Sequence, residues 1–270
     1  MILSLRKKLM PTKPAPAPLR MVPPGQRVYA IGDIHGRADL FSAMIASIDD
    51  DDNRRGPARL GTTVVLLGDL IDRGPDSAAV LSMARAWQGR RKVRIIAGNH
   101  EEMLLRSLDD LEALRALLRY GGRETVMSFG MSAEDYERAD YETVQAALRA
   151  GIDDDLRGFI ESFEDQIRIG DYLFVHAGIA PDVPIEDQTT ADTRWIREPF
   201  LSSPADHGVV VVHGHTITEG AEIAPNRIGI DTGAYASGNL TGLGLEGPNR
   251  WLISAEAEPN GMIGVMRRPV

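Results

Sequence analysis

From Arg27 onward, short apolar runs alternate with polar clusters that contain glycine. Residues 27–31 lead into Gly32-Asp33, residues 62–67 into Gly68-Asp69, and residues 93–97 into Gly98-Asn99. Further on, residues 172–175 lead into His176-Ala177-Gly178, and residues 209–212 into His213-Gly214-His215. Runs of this length, rich in Val, Ile and Leu and without strict alternation, predict strands buried on both faces. Leu40, Phe41, Met44, Ile45 and Ile48 share one helical face, and Val80, Met83, Ala84 and Trp87 share another. Strand and helix thus alternate, which predicts a βαβ beginning and a sheet with parallel strands.

The pattern changes twice more. Leu104, Leu108, Leu111, Leu114 and Leu118 recur every three or four residues with charges between them. That spacing predicts a helical cap or insertion over residues 101–165. Beyond it the chain becomes strand-rich, at residues 227–230, 240–245 and 251–254. The expected architecture is α/β, with two packed sheets flanked by helices. Residues 1–25 follow another rule: Pro11, Pro14, Pro16, Pro18, Pro23 and Pro24 favour an extended tail with no core of its own. The folded domain is therefore expected over residues 26–270.

Composition narrows the class. Of 270 residues, 43% are hydrophobic and 26% charged, as in an ordinary globular domain. No apolar run reaches membrane-spanning length, and no signal-like stretch follows Arg6, Lys7 and Lys8. The chain has no cysteine, which excludes disulfides and thiolate ligands and fits a cytoplasmic setting. A net charge of -9 argues against general nucleic-acid binding, though not against an anionic substrate at a locally positive site.

The candidate chemistry lies at the strand ends, where open α/β sheets bind ligands. Asp33 and His35 stand in GDIHG, Asp69 in GDLIDRG, Asn99 and His100 in GNHE, His176 in HAG, and His215 in HGHT. Each motif alone is a weak signal, since Gly-Asp is a common turn and Asn99 suits a helix N-cap. Together they are specific, because five of the six histidines fall inside them. Imidazole, carboxylate and amide oxygen without thiolate suit divalent manganese, iron or zinc.

In order and spacing these motifs resemble the bacterial and phage-type phosphoprotein-phosphatase family of the calcineurin-like metallophosphoesterases. The likeness spans residues 32–216 and continues weakly through Asp231-Thr232-Gly233. It implies a four-layer α/β/β/α sandwich of two mixed sheets, with two divalent metal ions, manganese foremost, between them. By the same resemblance Asp33 and His35 are expected on the first metal, and Asn99, His176 and His215 on the second. Asp69 is expected to bridge the two. His100 is expected to protonate the leaving group, charged and oriented by Asp72, while Arg73 and Arg197 hold phosphate. A water between the cations would attack phosphorus in line.

Three departures matter. Ile217 stands where many relatives have a further histidine ligand. His213 is expected to support the site rather than ligate, pointing with His215 if the strand continues. Ile96-Ala97 replaces the Leu-Arg that often precedes GNHE in protein phosphatases, which leaves the substrate open. The leading expectation is a phosphomonoesterase acting on phosphoserine or phosphothreonine proteins or on small phosphate esters. The alternative is a dinucleoside-polyphosphate or nucleotide hydrolase. A non-catalytic scaffold is disfavoured because every expected ligand is present, and a nuclease because of Ile217 and the acidic composition.

Overall fold

The computed structural model describes residues 19–270. Most of the expected proline-rich tail, through residue 18, lies outside the described residues. The chain runs β1 (Arg27–Ile31), α1 (Ala38–Arg55), β2 (Thr62–Leu66), α2 (Ser77–Gln88) and β3 (Val93–Ile95). Six helices follow: α3 (Asn99–Ser107), α4 (Leu111–Leu117), α5 (Arg123–Ser128), α6 (Ala133–Arg138), α7 (Tyr141–Gly151) and α8 (Asp154–Glu161). A π-helical turn, Leu118–Gly122, joins α4 to α5. Next come β4 (Gln166–Ile169), β5 (Tyr172–Val175), α9 (Thr190–Trp195), β6 (Val210–His213), β7 (Glu222–Ile223), β8 (Arg227–Gly229) and α10 (Ala234–Ser237). The chain ends in the meander β9 (Asn239–Glu246), β10 (Asn249–Ala257) and β11 (Ile263–Pro269).

These strands form two mixed sheets. One has six strands in the order β11-β10-β9-β1-β2-β3, and the other has five in the order β4-β5-β6-β8-β7. The expected parallel start is present, since β1 pairs parallel with β2 and β2 with β3. Period-two alternation then divides each strand between two cores. From β1, Val28 and Ala30 enter the layer between the sheets, where they meet Tyr172 and Phe174 of β5 and Val210 and Val212 of β6. Tyr29 and Ile31 face outward onto Leu40, Phe41 and Met44 of α1. The second sheet turns Leu173, Val175 and Val211 outward onto Ile179 and Phe200. The result is the expected α/β/β/α layering, although the fourth layer is thin and built mostly from the segment between β5 and β6.

Some elements differ from expectation. The 101–165 region is helical, but it is no detached cap: Leu104, Leu114, Leu117, Val144 and Phe159 join the same core as α1 and α2. The tail boundary at residue 25 falls too late. Val22 is fully buried in the inter-sheet core, and the backbone N–H of Met21 donates to Asp171 at 2.9 Å. Arg20 pairs with Asp206. Among the described residues, no helix is long and apolar enough to cross a membrane.

Candidate metal centre

The loops that follow β1, β2, β3, β5 and β6 converge, and their backbones are unusual. Among the described residues the non-glycine positions with positive φ are His35 (46°), Asp69 (49°), Asp72 (70°), Arg73 (68°) and His215 (63°). All had been singled out from the sequence. A side chain in this region costs roughly 1–3 kcal/mol and persists where the surroundings impose it. Close approach is the second local feature. A Cβ on Gly98 would lie 2.1 Å from Asp69 Oδ1, and one on Gly214 would lie 2.0 Å from Asp33 Oδ1. Only glycine lets these carboxylates sit against the neighbouring backbone.

The candidate donors form two buried triplets. Donor atoms of His35, Asp69 and His100 lie within 4.8 Å of one another, and so do those of Asp69, His176 and His215. Asp69 belongs to both. Backbone carbonyls fix two of the imidazoles: His35 Nδ1 donates to Ile71 O at 2.7 Å, and His176 Nδ1 donates to Leu67 O at 2.8 Å. The Asn99 amide oxygen lies 2.9 Å from both His176 Nε2 and His215 Nδ1. Asn99 thus lies beside the second group. His35 Nε2 and His215 Nε2 are buried with no hydrogen-bond partner. Orphaned buried nitrogens cost free energy and call for a ligand. With carboxylate and amide oxygens beside them, these donors fit divalent cations.

Charge follows the same layout. Burial holds His35 down at about 3. Burial, then the neighbouring His176 and Arg197 among others, holds His215 at about 3. Both therefore present lone pairs. Burial works against a charged His176, but Asp69 outweighs it and pushes this imidazole up to about 10. Burial would likewise raise Asp69, yet His176 and His100 hold it well below the carboxylate range. Asp33 stands beside the triplets rather than within either. Its oxygens accept from the His215 N–H at 3.2 and 3.1 Å, and burial together with Asp231 raises it well above normal.

A third constellation adjoins the first triplet. His100 Nδ1 donates to Asp72 Oδ2 at 2.6 Å, and His100 Nε2 lies 3.1 Å from Arg73 Nη2. The Asp72 carboxylate also accepts from the Thr125 hydroxyl. Arg73 lies over the Tyr235 ring at 4.9 Å and donates its N–H to Gly121 O in the π-helical turn. Arg197 is exposed, and its guanidinium has no protein hydrogen-bond partner among the described residues.

His213 departs from the alternation argument. β6 ends at His213, and the positive φ at His215 breaks the repeat. His213 instead packs on Phe200 with ring centroids 5.2 Å apart, and its Nδ1 lies 3.1 Å from Gly214 O. It braces the turn from behind and belongs to neither triplet.

Sequence reasoning missed four residues around the site. The Glu101 carboxylate accepts from the N–H groups of Asp69 (2.9 Å), Leu70 (2.8 Å) and Gly98 (2.8 Å). Its place three residues after the N-cap Gly98 was the available signal. Asp231 could have been found from Asp231-Thr232-Gly233. Thr125 and Tyr235 sit in helices with no motif to mark them.

Comparison with known proteins bears on the family. The sequence model described as calcineurin-like phosphoesterase matches residues 26–234. A bis(5'-nucleosyl)-tetraphosphatase of the asymmetrical type from Bacillus velezensis is 27% identical over 248 residues, covering 84% of this chain and 91% of the relative. A symmetrical bis(5'-nucleosyl)-tetraphosphatase from Hamiltonella defensa is 31% identical over 166 residues, covering 61% of this chain and 48% of the relative, so the match spans about half of that protein. Among solved structures, a cold-active protein tyrosine phosphatase aligns with a TM-score of 0.59 at 19% identity, covering 93% of this chain and 82% of that one.

Proposed function

The chain belongs to the calcineurin-like phosphoesterase family, and on that footing we propose that it is a two-metal hydrolase of dinucleoside polyphosphates. The family hydrolyses phosphoesters with divalent metal ions. The observation that carries the two-metal reading is the sharing of Asp69 between two buried triplets, each with one imidazole nitrogen that has no hydrogen-bond partner, His35 Nε2 in the first and His215 Nε2 in the second. The substrate class rests on the Bacillus velezensis relative, which the chain matches over 91% of its length. A phosphoserine or phosphothreonine substrate has less support. The likeness to the tyrosine phosphatase, at 19% identity, concerns the fold alone.

In this reading Asp33, His35 and Asp69 would hold the first cation, and Asp69, Asn99, His176 and His215 the second. Cations bound there supply Lewis-acid activation of water and of the phosphoryl oxygens. Manganese is the proposed metal, with iron or zinc as alternatives. Arg73 and Arg197 hold non-bridging oxygens and steady the charge that builds during transfer. His100 donates a proton to the departing phosphate oxygen. Burial disfavours its charged form, but Asp69 and Asp72 outweigh this and raise its pKa, which favours the protonated form. Asp72 in turn is fixed by Thr125 and by its own N–H to Ser77 Oγ at 2.9 Å.

The test is a substrate panel with manganese, iron and zinc compared: diadenosine tetraphosphate, diadenosine triphosphate, p-nitrophenyl phosphate and phosphoserine, phosphothreonine and phosphotyrosine peptides. The expected result is metal-dependent turnover with the highest kcat/KM on a dinucleotide. A phosphopeptide preference would return the substrate to the phosphoprotein class, and turnover in excess chelator would remove the metal centre from the chemistry.

A further inference from the structure

The metal centre accounts for binding phosphate. A dinucleoside polyphosphate also carries nucleobases, and the residues described so far do not engage them. Beside the centre, the end of α9 presents an aromatic ring to solvent. Trp195 is 38% exposed, whereas Trp87 and Trp251 are 1% and 4% exposed. An open indole two residues before the phosphate-binding candidate Arg197 is not explained by packing.

The ring is nonetheless fixed. Its Nε1–H donates to Glu102 Oε2 at 3.2 Å. Glu102 follows Asn99 by three residues on α3, and residues at that spacing lie on one face of a helix. The indole edge is therefore anchored about one helical turn from the amide that touches His176 and His215. On the other side, Thr193 O accepts from the N–H of Ala177 at 2.7 Å, tying α9 to the residue after His176. Arg194 secures the same turn to Asp165 at 2.6 Å, and Ile196 packs into the outer core of the second sheet. Both anchors of Trp195 thus belong to segments that build the metal centre.

An exposed indole whose Nε1–H is already satisfied is suited to stacking, and stacking on an indole accepts any base. The ring is not among the donors of either triplet and is left to meet a group attached to the phosphates rather than the phosphates themselves. We infer that Trp195, held by Glu102, is a specificity-determining platform on which one nucleobase of the substrate stacks while its phosphates occupy the metal centre and Arg197. This rests on the dinucleoside-polyphosphate reading, and the experiment separates the two.

Trp195→Ala and Trp195→Phe are compared with wild type on diadenosine tetraphosphate and on inorganic tripolyphosphate, which has phosphates but no base. The expected result for Trp195→Ala is a loss on the order of 10-fold in kcat/KM for the dinucleotide relative to tripolyphosphate, mostly in KM, with partial rescue by phenylalanine. Because the other tryptophans are buried, AMP titrated into the metal-loaded enzyme is expected to quench fluorescence in wild type and not in Trp195→Phe. An unchanged dinucleotide-to-tripolyphosphate ratio, or quenching that survives in Trp195→Phe, overturns the inference. An equal loss on a phosphotyrosine peptide also overturns it, by making the platform a peptide site. If wild type quenches with AMP yet does not cleave the dinucleotide, the platform stands and the proposed substrate falls.

Discussion

Gly98→Ala displaces Asp69, the residue common to both triplets. Gly98 has φ −86° and ψ 175°, a conformation alanine adopts freely, so the substitution adds no backbone strain. What it adds is one methyl group, whose carbon would lie 2.1 Å from Asp69 Oδ1 and 2.5 Å from Asp69 N. Neither oxygen nor nitrogen tolerates carbon that closely, so the Asp69 carboxylate must retreat by about 1 Å and its backbone must shift with it. Asp69 is common to both triplets, so one displacement disturbs both proposed cations. A misplacement of about 1 Å in a reacting constellation is enough for a loss on the order of 10²-fold. The expected outcome is at least that loss in kcat/KM, with metal content below wild type by elemental analysis. Gly158→Ala is the control: it lies within α8, and its Cβ would meet nothing within 4 Å. There the change should stabilise by roughly 0.5–1 kcal/mol and leave activity unaltered. Thermal melts of both variants in chelator separate a damaged site from a damaged fold. A Gly98→Ala enzyme with full metal content and wild-type turnover would refute the argument that Asp69 couples two cations.

Other substitutions and conditions probe neighbouring parts of the site. His100→Asn should lower kcat by roughly 10²–10⁴-fold while the Asp69, His176 and His215 group still loads metal, and unchanged turnover in steady-state assays would remove His100 from the reaction. Glu101→Gln removes charge from an oxygen pair that serves three N–H groups and turns an amide N–H₂ toward one of them. It should destabilise by about 1–3 kcal/mol in denaturant titrations, and wild-type stability would contradict the role of Glu101 as the anchor of the Asp69 turn. Without metal, His176 keeps its proton up to a pKa of about 10, and a cation must displace it. Metal affinity is therefore expected to strengthen as pH rises toward that value, with at least one proton released per chain at pH 7. Calorimetry in buffers of different ionisation enthalpy measures this, and pH-independent binding without proton release would show that His176 does not ligate.

What could be read from the sequence depended on how local the signal was. β1, β2, β5 and β6 are apolar and buried on nearly every residue, and the donors stand directly after them, so strand and site were visible together. β11 was not found because its residues are mostly exposed and carry Arg267 and Arg268 on an edge. Local pattern also failed where the backbone turns: β6 stops one residue before Gly214, which separates His213 from His215. Thr125 reaches Asp72 across 53 positions of sequence through a helix-to-loop contact. No periodicity encodes such a pairing, since it arises only when α5 packs beside α2.

The concentration of left-handed backbone at His35, Asp69, Asp72, Arg73 and His215 bears on how this enzyme can be made hardier. Glycine or asparagine at those positions would relax the chain, so one route to heat resistance runs through the residues proposed to hold metal and phosphate. A library screened for survival at high temperature alone should therefore drift toward inactive variants. Retaining the chemistry while raising the melting point requires improvement elsewhere, for example along the edge of β11 that carries Arg267 and Arg268.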